Sequence, residues 1–229
     1  MKKNLKYFIC LLSSFTLLST NINTIYANNE IVKNIGDVKI EFLVDNDNEV
    51  KVKSTENNKI IISKVNKQSN IMTIEKYDIN SNKLLSIDTL NLSEISKNSS
   101  QDNLSRANYQ NTFSNREYRY YNGYDSKLGS CIKWDIRSDY KKKNGIIETS
   151  SNRDDLKNFR DAVETVNSKE NSIIWTAGVG TVTTILTAIA TGGVGAGIAA
   201  ASSVGVAANF VIDLNRAIND ADYYFDRIR

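Results

Sequence analysis

Apolar and polar residues alternate through most of 38–92, the period of a β-strand with one buried face. Clusters of Asn, Asp, Ser and Lys interrupt the alternation at short intervals, and such clusters form turns. Five short strands with one apolar face need a covering layer. We predict an N-terminal antiparallel β-meander over 28–92, either a small autonomous β-domain or a pro-region that masks the rest of the chain. The predicted strands are VKIEFLV, EVKVKS, KIIISKV, IMTIEKY and LLSIDTL.

The next segment, 93–111, has a different character. It is polar, rich in Ser and Asn, and free of any apolar period. This composition predicts a linker or loop, which a processing protease could reach.

Aromatic residues crowd into the segment after this linker. REYRYYNGY and SCIKWDIRSDY predict two paired strands, and nine Lys or Arg residues accompany four Asp or Glu residues between 106 and 145. Either the aromatic rings of this β-ribbon pack on helices, or they form a locally basic surface that touches a membrane interface, anionic lipid or an anionic wall polymer. The candidate residues for that surface are Arg119, Tyr120, Tyr121, Trp134 and Arg137.

Helical spacing begins near Ser151, where acidic residues follow a capping signal. Apolar residues recur every three or four positions in 156–166 and again in 210–228. We therefore predict an α+β protein in which 112–229 combines the aromatic ribbon with a C-terminal long helical hairpin.

Between these two amphipathic stretches lies a run without any charge, 171–212. Gly192 and Gly193 divide it into arms at 171–191 and 194–212, each about 30 Å long as a helix, which is the thickness of a bilayer core. Of its 42 residues, 15 are large and apolar and 25 are Ala, Gly, Ser or Thr, so membrane insertion would be marginal. The alternative is a soluble, buried hairpin, and small residues in either case permit close helix packing or self-association. The candidate residues of this membrane hairpin are Trp175, Gly178, Gly180, Gly192, Gly193, Gly195, Gly197 and Gly205.

The first 27 residues predict a secretion signal. Lys2, Lys3 and Lys6 precede an apolar stretch too short for a membrane span, and Ala27 ends an acceptable cleavage site. Removal of 1–27 leaves 26 basic and 26 acidic residues, so the net charge of +3 belongs to the signal. We expect a secreted protein, membrane-associated in one interpretation, that binds no nucleic acid because it lacks a basic excess.

Candidate chemistry is sparse. The sequence has no His, which removes the usual general base, the Ser-His-Asp and Cys-His nucleophile systems and most zinc sites. Cys131 is the one cysteine outside the signal, and it is either a packed, inert thiol or a reactive, intermolecular one. We therefore expect no enzyme, no metal site and no cofactor, although carboxylate-only catalysis would remain chemically possible.

Several of these features together resemble the geobacillin-type large bacteriocins of Gram-positive bacteria. They are the signal peptide, the turn-rich β half, the WDIRS strand, the TSSNRDDLKNF helix start, and the uncharged Gly/Ala hairpin that ends in DADYYFDRI. The resemblance covers most of the chain after the signal and implies a secreted antibacterial protein without lanthionine-type modification. It supplies no functional residues that transfer one by one.

These patterns favour two functions. The first is a bacteriocin-like antibacterial protein that acts on target cell membranes through the uncharged hairpin. The alternative is a non-toxic secreted or surface-associated adhesin or interaction protein that carries the same hairpin.

Overall fold

The structure, a computed structural model, describes residues 32–35, 37–56, 58–97, 105–106 and 108–229. The predicted signal peptide 1–27 lies outside this range. The described chain contains two antiparallel sheets followed by three long helices. This arrangement confirms the predicted α+β fold, with its N-terminal meander, aromatic strands and C-terminal helices.

The first sheet is a six-stranded antiparallel meander in sequence order. Asx turns set its corners, because the side chains of Asn46, Asn66 and Asp78 accept hydrogen bonds from backbone N–H groups two and three residues later. All five predicted strands are present, and one short strand precedes them. The strands are β1 (Val32–Ile35), β2 (Val38–Asp45), β3 (Glu49–Glu56), β4 (Lys59–Asn66), β5 (Ile71–Asp78) and β6 (Leu84–Asn91).

The second sheet has five antiparallel strands in the order β11-β10-β9-β8-β7. The two predicted aromatic strands pair from Arg116 opposite Ser138 to Asp125 opposite Gly129, and Asp139 and Tyr140, at the end of the second one, lie in the turn that follows. The strands are β7 (Ser105–Arg106), β8 (Tyr109–Asn111), β9 (Arg116–Asp125), β10 (Gly129–Ser138) and β11 (Lys141–Ile147).

The helices are α1 (Leu92–Lys97), α2 (Arg153–Ala177), α3 (Val179–Ser203) and α4 (Ala208–Arg227). Helices α2 and α4 form an antiparallel pair. Asp155 near the start of α2 pairs with Arg227 at the end of α4, and Lys169 in the second half of α2 pairs with Asp213 near the start of α4.

The two arms predicted for the uncharged run are wrong in their extent. The arm over 171–191 is interrupted at Gly178, whose φ of 88° and ψ of 163° are not helical, and α2 ends at the residue before it. The arm over 194–212 is interrupted after Ser203, where α3 ends. The long hairpin is therefore formed by α2 and α4, and the uncharged α3 lies between them with a break in its helix at Gly192 and Gly193.

Two hydrophobic clusters hold the layers together. In the larger cluster the first sheet packs on α3 through residues such as Val52, Ile74 and Ile198, with parts of α2 and α4 alongside. In the smaller one the second sheet packs on α2 and α4 through Trp134 and Phe159 among others. The first sheet and α3 thus share one core inside a single compact unit, Val32–Arg229.

The segment 93–111, expected as a linker, carries regular structure at both ends. Most of α1 lies at its start, and β7 and β8 lie at its end. Its polar composition hides these elements because they are too short for an apolar period to develop.

Candidate membrane-active helix and aromatic sheet

Helix α3 is the covering layer of the first sheet. It has 25 residues and a mean hydropathy of 1.6 over its most apolar stretch, which meets the length and composition of a membrane span, but its helix is broken at Gly192 and Gly193. About two thirds of that stretch, 67%, is buried inside the protein. In this state α3 is a core helix of a folded protein, which is the buried alternative expected from its sequence.

Three of the predicted hairpin glycines let α3 approach the sheet closely. A methyl group on Gly192 would come within 2.7 Å of the Ile74 side chain, and one on Gly195 within 2.5 Å of Ser54 Oγ. One on Gly193 would overlap with the Glu56 carboxyl group. These small residues therefore serve helix-on-sheet packing, since any larger side chain would push α3 away from β3 and β5.

Two more of the glycines make contacts between helices within the chain. A side chain on Gly180 would overlap with Ser96 of α1. A side chain on Gly197 would overlap with Ile189 of α3 itself and crowd Val211 of α4 at 3.1 Å. The small-residue face predicted for self-association is thus occupied by this chain's own elements.

Gly192 and Gly193 form a sharp bend, as predicted, but not an exposed tip. Gly193 has a φ of 73°, which favours glycine, and the helical conformation is lost at both residues. The contact between Gly197 and Ile189, eight residues earlier, requires the chain to fold back at this point, because a straight helix would separate them by about 12 Å. The bend lies against the first sheet, where Gly192 is buried.

The exposed turns of the uncharged run lie at its other glycines. Gly178 joins α2 to α3 and Gly205 lies between α3 and α4; both have positive φ, and neither would place a side chain within 4 Å of another atom. Three large apolar residues next to these turns face solvent. Trp175 is 90% exposed, Val204 49% and Val179 38%.

The uncharged run is bounded on its N-terminal side by a buried acid, Glu170. Its two carboxylate oxygens accept hydrogen bonds from the backbone N–H groups of Phe113 and Ser114, both at 2.8 Å. Burial raises the pKa of Glu170 to about 7, and the backbone hydrogen bonds oppose that rise without cancelling it. This carboxyl group ties the turn before β9 to α2.

The aromatic and basic residues predicted as one surface lie on two faces of the second sheet. Tyr120 and Trp134 lie on the covered face, where their ring centroids are 4.8 Å apart. Trp134 is 3% exposed, and its Nε1 donates a hydrogen bond to Glu148 at 3.1 Å. Trp134 is therefore a core residue and cannot contact a membrane or a polymer in this state, which corrects its assignment to an interface.

Arg119, Tyr121 and Arg137 lie on the open face, because side chains alternate along a strand. The Arg119 guanidinium lies 5.1 Å from the centroid of the Tyr121 ring, and Arg137 donates from Nε to the Asp139 carbonyl at 2.8 Å. A groove of about 580 Å³ crosses this face. Its polar lining comprises Asn108, Tyr109, Glu117, Arg119, Asp135, Arg137, Lys142 and Asn144.

Sequence reasoning missed Lys142 as part of this groove. It lies directly opposite Arg137 on β11, while Glu117 lies opposite Arg137 on β9, so the two like charges have one acid beside them. The strand alternation was a usable signal, since it separates Arg137 from Trp134 and places Arg137 with Arg119.

Other chemistry is limited within the described ranges. They contain no group of three His, Cys, Asp or Glu residues that could hold a metal ion. Cys131 is a free, half-buried thiol on β10.

Comparisons with protein-family models, curated proteins and solved structures found no significant match. The function must therefore be inferred from the geometry of α3, of its surroundings and of the open groove.

Proposed function

We propose that the protein is a secreted, bacteriocin-like antibacterial protein that acts on target cell membranes and keeps its membrane-active helix folded against a β-sheet. The first sheet serves as the mask, and α3 is the segment that enters the lipid. This proposal includes the resemblance to the geobacillin-type large bacteriocins, and it gives the protein no enzymatic role.

The observation that carries the proposal is the packing of α3. Two uncharged helical segments, joined at Gly192 and Gly193, cover the first sheet with small residues, and the 25 residues of α3 would match a bilayer core only as one straight helix. A core helix built from larger apolar side chains would bury more apolar area than one built from Ala and Gly. A helix that must also leave the core benefits from small residues, because they bury less apolar area and its release costs less free energy.

The two ends of α3 favour its release from the first sheet. Gly178 and Gly205 separate it from α2 and α4, and glycine adopts many backbone conformations at little cost. Release also requires the bend at 192–193 to straighten, since the segment on either side of it is shorter than the roughly 20 residues of a membrane span.

Ala190 provides a sharp test, because it lies near the middle of α3 and is exposed in the folded protein. Ala190→Lys should leave folding unchanged, yet a lysine at the centre of a membrane span costs about 2.5–3.5 kcal/mol. Asn219→Lys, an exposed position on α4 outside the uncharged run, is the matched control.

The chain from residue 28 onwards is added to dye-loaded phosphatidylglycerol vesicles and to Gram-positive cells. We expect dye release and killing by wild type and Asn219→Lys, and at least a tenfold loss for Ala190→Lys with an unchanged circular dichroism spectrum. Equal dye release by a folded Ala190→Lys protein would reject insertion of α3.

A second function, a secreted interaction protein or adhesin, is favoured by the groove on the open face. Its bases Arg119, Arg137 and Lys142 outnumber its acids Glu117 and Asp135, which suits an anionic ligand such as a wall polymer. Arg137→Ala with Lys142→Ala would abolish cell attachment under this function. Under the membrane function the same pair would leave dye release from vesicles intact.

A further inference from the structure

The uncharged run brings two turns to the same end of the molecule. Val204, at the end of α3, lines the same surface depression as Thr181, near the start of α3. The α2–α3 turn and the α3–α4 turn are therefore neighbours. We call five of the exposed residues at these two turns the apolar end: Trp175, Gly178, Val179, Val204 and Gly205.

This end lies beyond the Lys169–Asp213 ion pair that links α2 to α4. Lys169 Nζ and Asp213 Oδ2 are 3.0 Å apart and link α2 to α4. From Lys169 to the end of α2 at Ala177 the helix advances about 12 Å. Over that distance the buried Glu170 is the one charged residue of α2. Ile173 in this part of α2 is buried in the core while Trp175 is exposed, so only the outer face of α2 is available to a membrane interface, where apolar faces are buried to a depth of about 5–10 Å.

The flanking helix α1 adds no net charge. It carries Glu94 and Lys97, and Lys97 lines the depression beside Val204. Attraction between this end and its partner must therefore come mainly from apolar contact, with Trp175 as the largest contributor.

The size of the apolar end decides between a lipid and a protein partner. One exposed Trp and two partly exposed Val side chains offer roughly 300–400 Å² of apolar surface. A stable protein–protein interface needs about 800 Å² on each partner, so a second copy of this chain would be poorly held here. A lipid surface needs no complementary shape, and Trp prefers the level of the lipid headgroups.

We infer that the apolar end is the site of first contact with the membrane, where Trp175 enters the headgroup layer while α3 still covers the first sheet. This inference rests on the proposed function and adds a docking step before insertion. The partner is the lipid surface itself, and its headgroup charge has a secondary role.

The test uses the emission of Trp175 and the strength of vesicle binding. The chain from residue 28 onwards is mixed with phosphatidylcholine vesicles and, separately, with phosphatidylglycerol vesicles, both with and without brominated acyl chains. Trp175→Ser removes the exposed ring without touching the core, and the remaining Trp134 then reports the background. Leu85→Ser is the matched control, because Leu85 is 52% exposed on β6, outside the apolar end.

We expect Trp175 emission to shift to shorter wavelength and to be quenched by bromine with both kinds of vesicle. Trp175→Ser should bind about tenfold more weakly or worse, and Leu85→Ser should bind like the wild type. An emission spectrum that does not change on binding, or equal binding by Trp175→Ser and wild type, would overturn the inference. Binding only to phosphatidylglycerol at low salt would do so too, because it would indicate a purely electrostatic contact.

The docking step and the insertion step can fail separately. If Trp175→Ser binds normally while Ala190→Lys loses dye release, docking at the apolar end is wrong and insertion of α3 stands. If Trp175→Ser loses binding while Ala190→Lys releases dye like the wild type, the protein docks at this end without inserting α3.

Discussion

The Glu56 carboxyl group, at the end of β3, occupies the space that any side chain at Gly193 would need. Gly193 also has a φ of 73°, so both the sheet and the backbone select glycine at the bend of α3. The packing of α3 on the first sheet therefore depends on the bend, because α3 lies along the sheet only while Gly193 keeps this conformation.

Gly193→Ala should therefore weaken the folded state and favour the released one. Backbone strain at a positive φ costs about 1–3 kcal/mol, and the overlap with Glu56 adds to it. Alanine also favours a straight helix over glycine by about 1 kcal/mol. We expect a lower midpoint in urea unfolding and faster dye release from phosphatidylglycerol vesicles.

Gly205→Ala is the control for strain alone. Its φ of 79° is similarly unfavourable for alanine, but no atom lies within 4 Å of the added methyl group and the position is outside α3. A Gly193→Ala protein that unfolds more easily yet releases dye no faster than Gly205→Ala would contradict the link between the bend and release.

Glu170 should make stability depend on pH in a defined direction. Its pKa rises from 4.5 to about 7 on folding because of burial, so the folded protein holds the proton more tightly than the unfolded chain. The contribution of this proton to stability is complete below about pH 4.5 and is lost as the pH rises to 7, with a magnitude of about 3 kcal/mol. Burial raises the pKa of Glu56 as well, which adds a contribution of the same sign.

Urea unfolding at about pH 5 and about pH 7.5 measures this effect. The wild type should be more stable at the lower pH, and Glu170→Gln, which cannot titrate, should lose most of the difference. The pKa values of Glu41 and Asp78 are lowered, so their contributions are lost only at more acidic pH. An identical pH dependence in Glu170→Gln and wild type would exclude Glu170 as its source.

Substitutions of Trp134 and of Arg137 should have very different effects on the free energy of unfolding, although the two residues are three positions apart. Trp134→Ala leaves a cavity between the second sheet and the helices and should lower the free energy of unfolding by about 3–5 kcal/mol. Arg137→Ala, on the open face, should change it by less than about 0.5 kcal/mol. Urea unfolding of both variants checks this, and a Trp134→Ala protein of normal stability would contradict the core position of Trp134.

Local patterns in the sequence predict much of the fold. Strands β2 to β6 follow the alternation of residues such as Val50 and Val52, and Asn46 and Asn66 end strands where their side chains cap the turns. Leu156, Phe159 and Val163 are buried at the helical spacing that predicted α2. These features depend on residues that are neighbours in sequence, so a short stretch of sequence is enough to predict them.

The position of α3 against the first sheet could not be predicted from local patterns. Gly192 and Gly193 signal a break, but whether the break faces solvent depends on Ser54 and Glu56, which come from a distant strand. Gly178 resembles the other small residues around it, so nothing local marks it as the end of a helix. The apolar end at Trp175 becomes visible only when the two turns are seen side by side.

A reversible disulfide between α3 and the first sheet, called the lock below, tests most directly whether α3 must leave the sheet. Cysteines replace Ser54 and Gly195 in a Cys131→Ser background. A Cβ atom at residue 195 lies 2.6 Å from Ser54 Cβ, so α3 must move by about an ångström to reach the roughly 3.8 Å of a relaxed disulfide. Dye release from phosphatidylglycerol vesicles is then compared before and after reduction of the same sample, with disulfide formation verified by mass spectrometry. We predict at least a tenfold slower release while the lock is closed and recovery on reduction, whereas equal release by the oxidised and reduced protein would show that α3 does not have to leave the sheet.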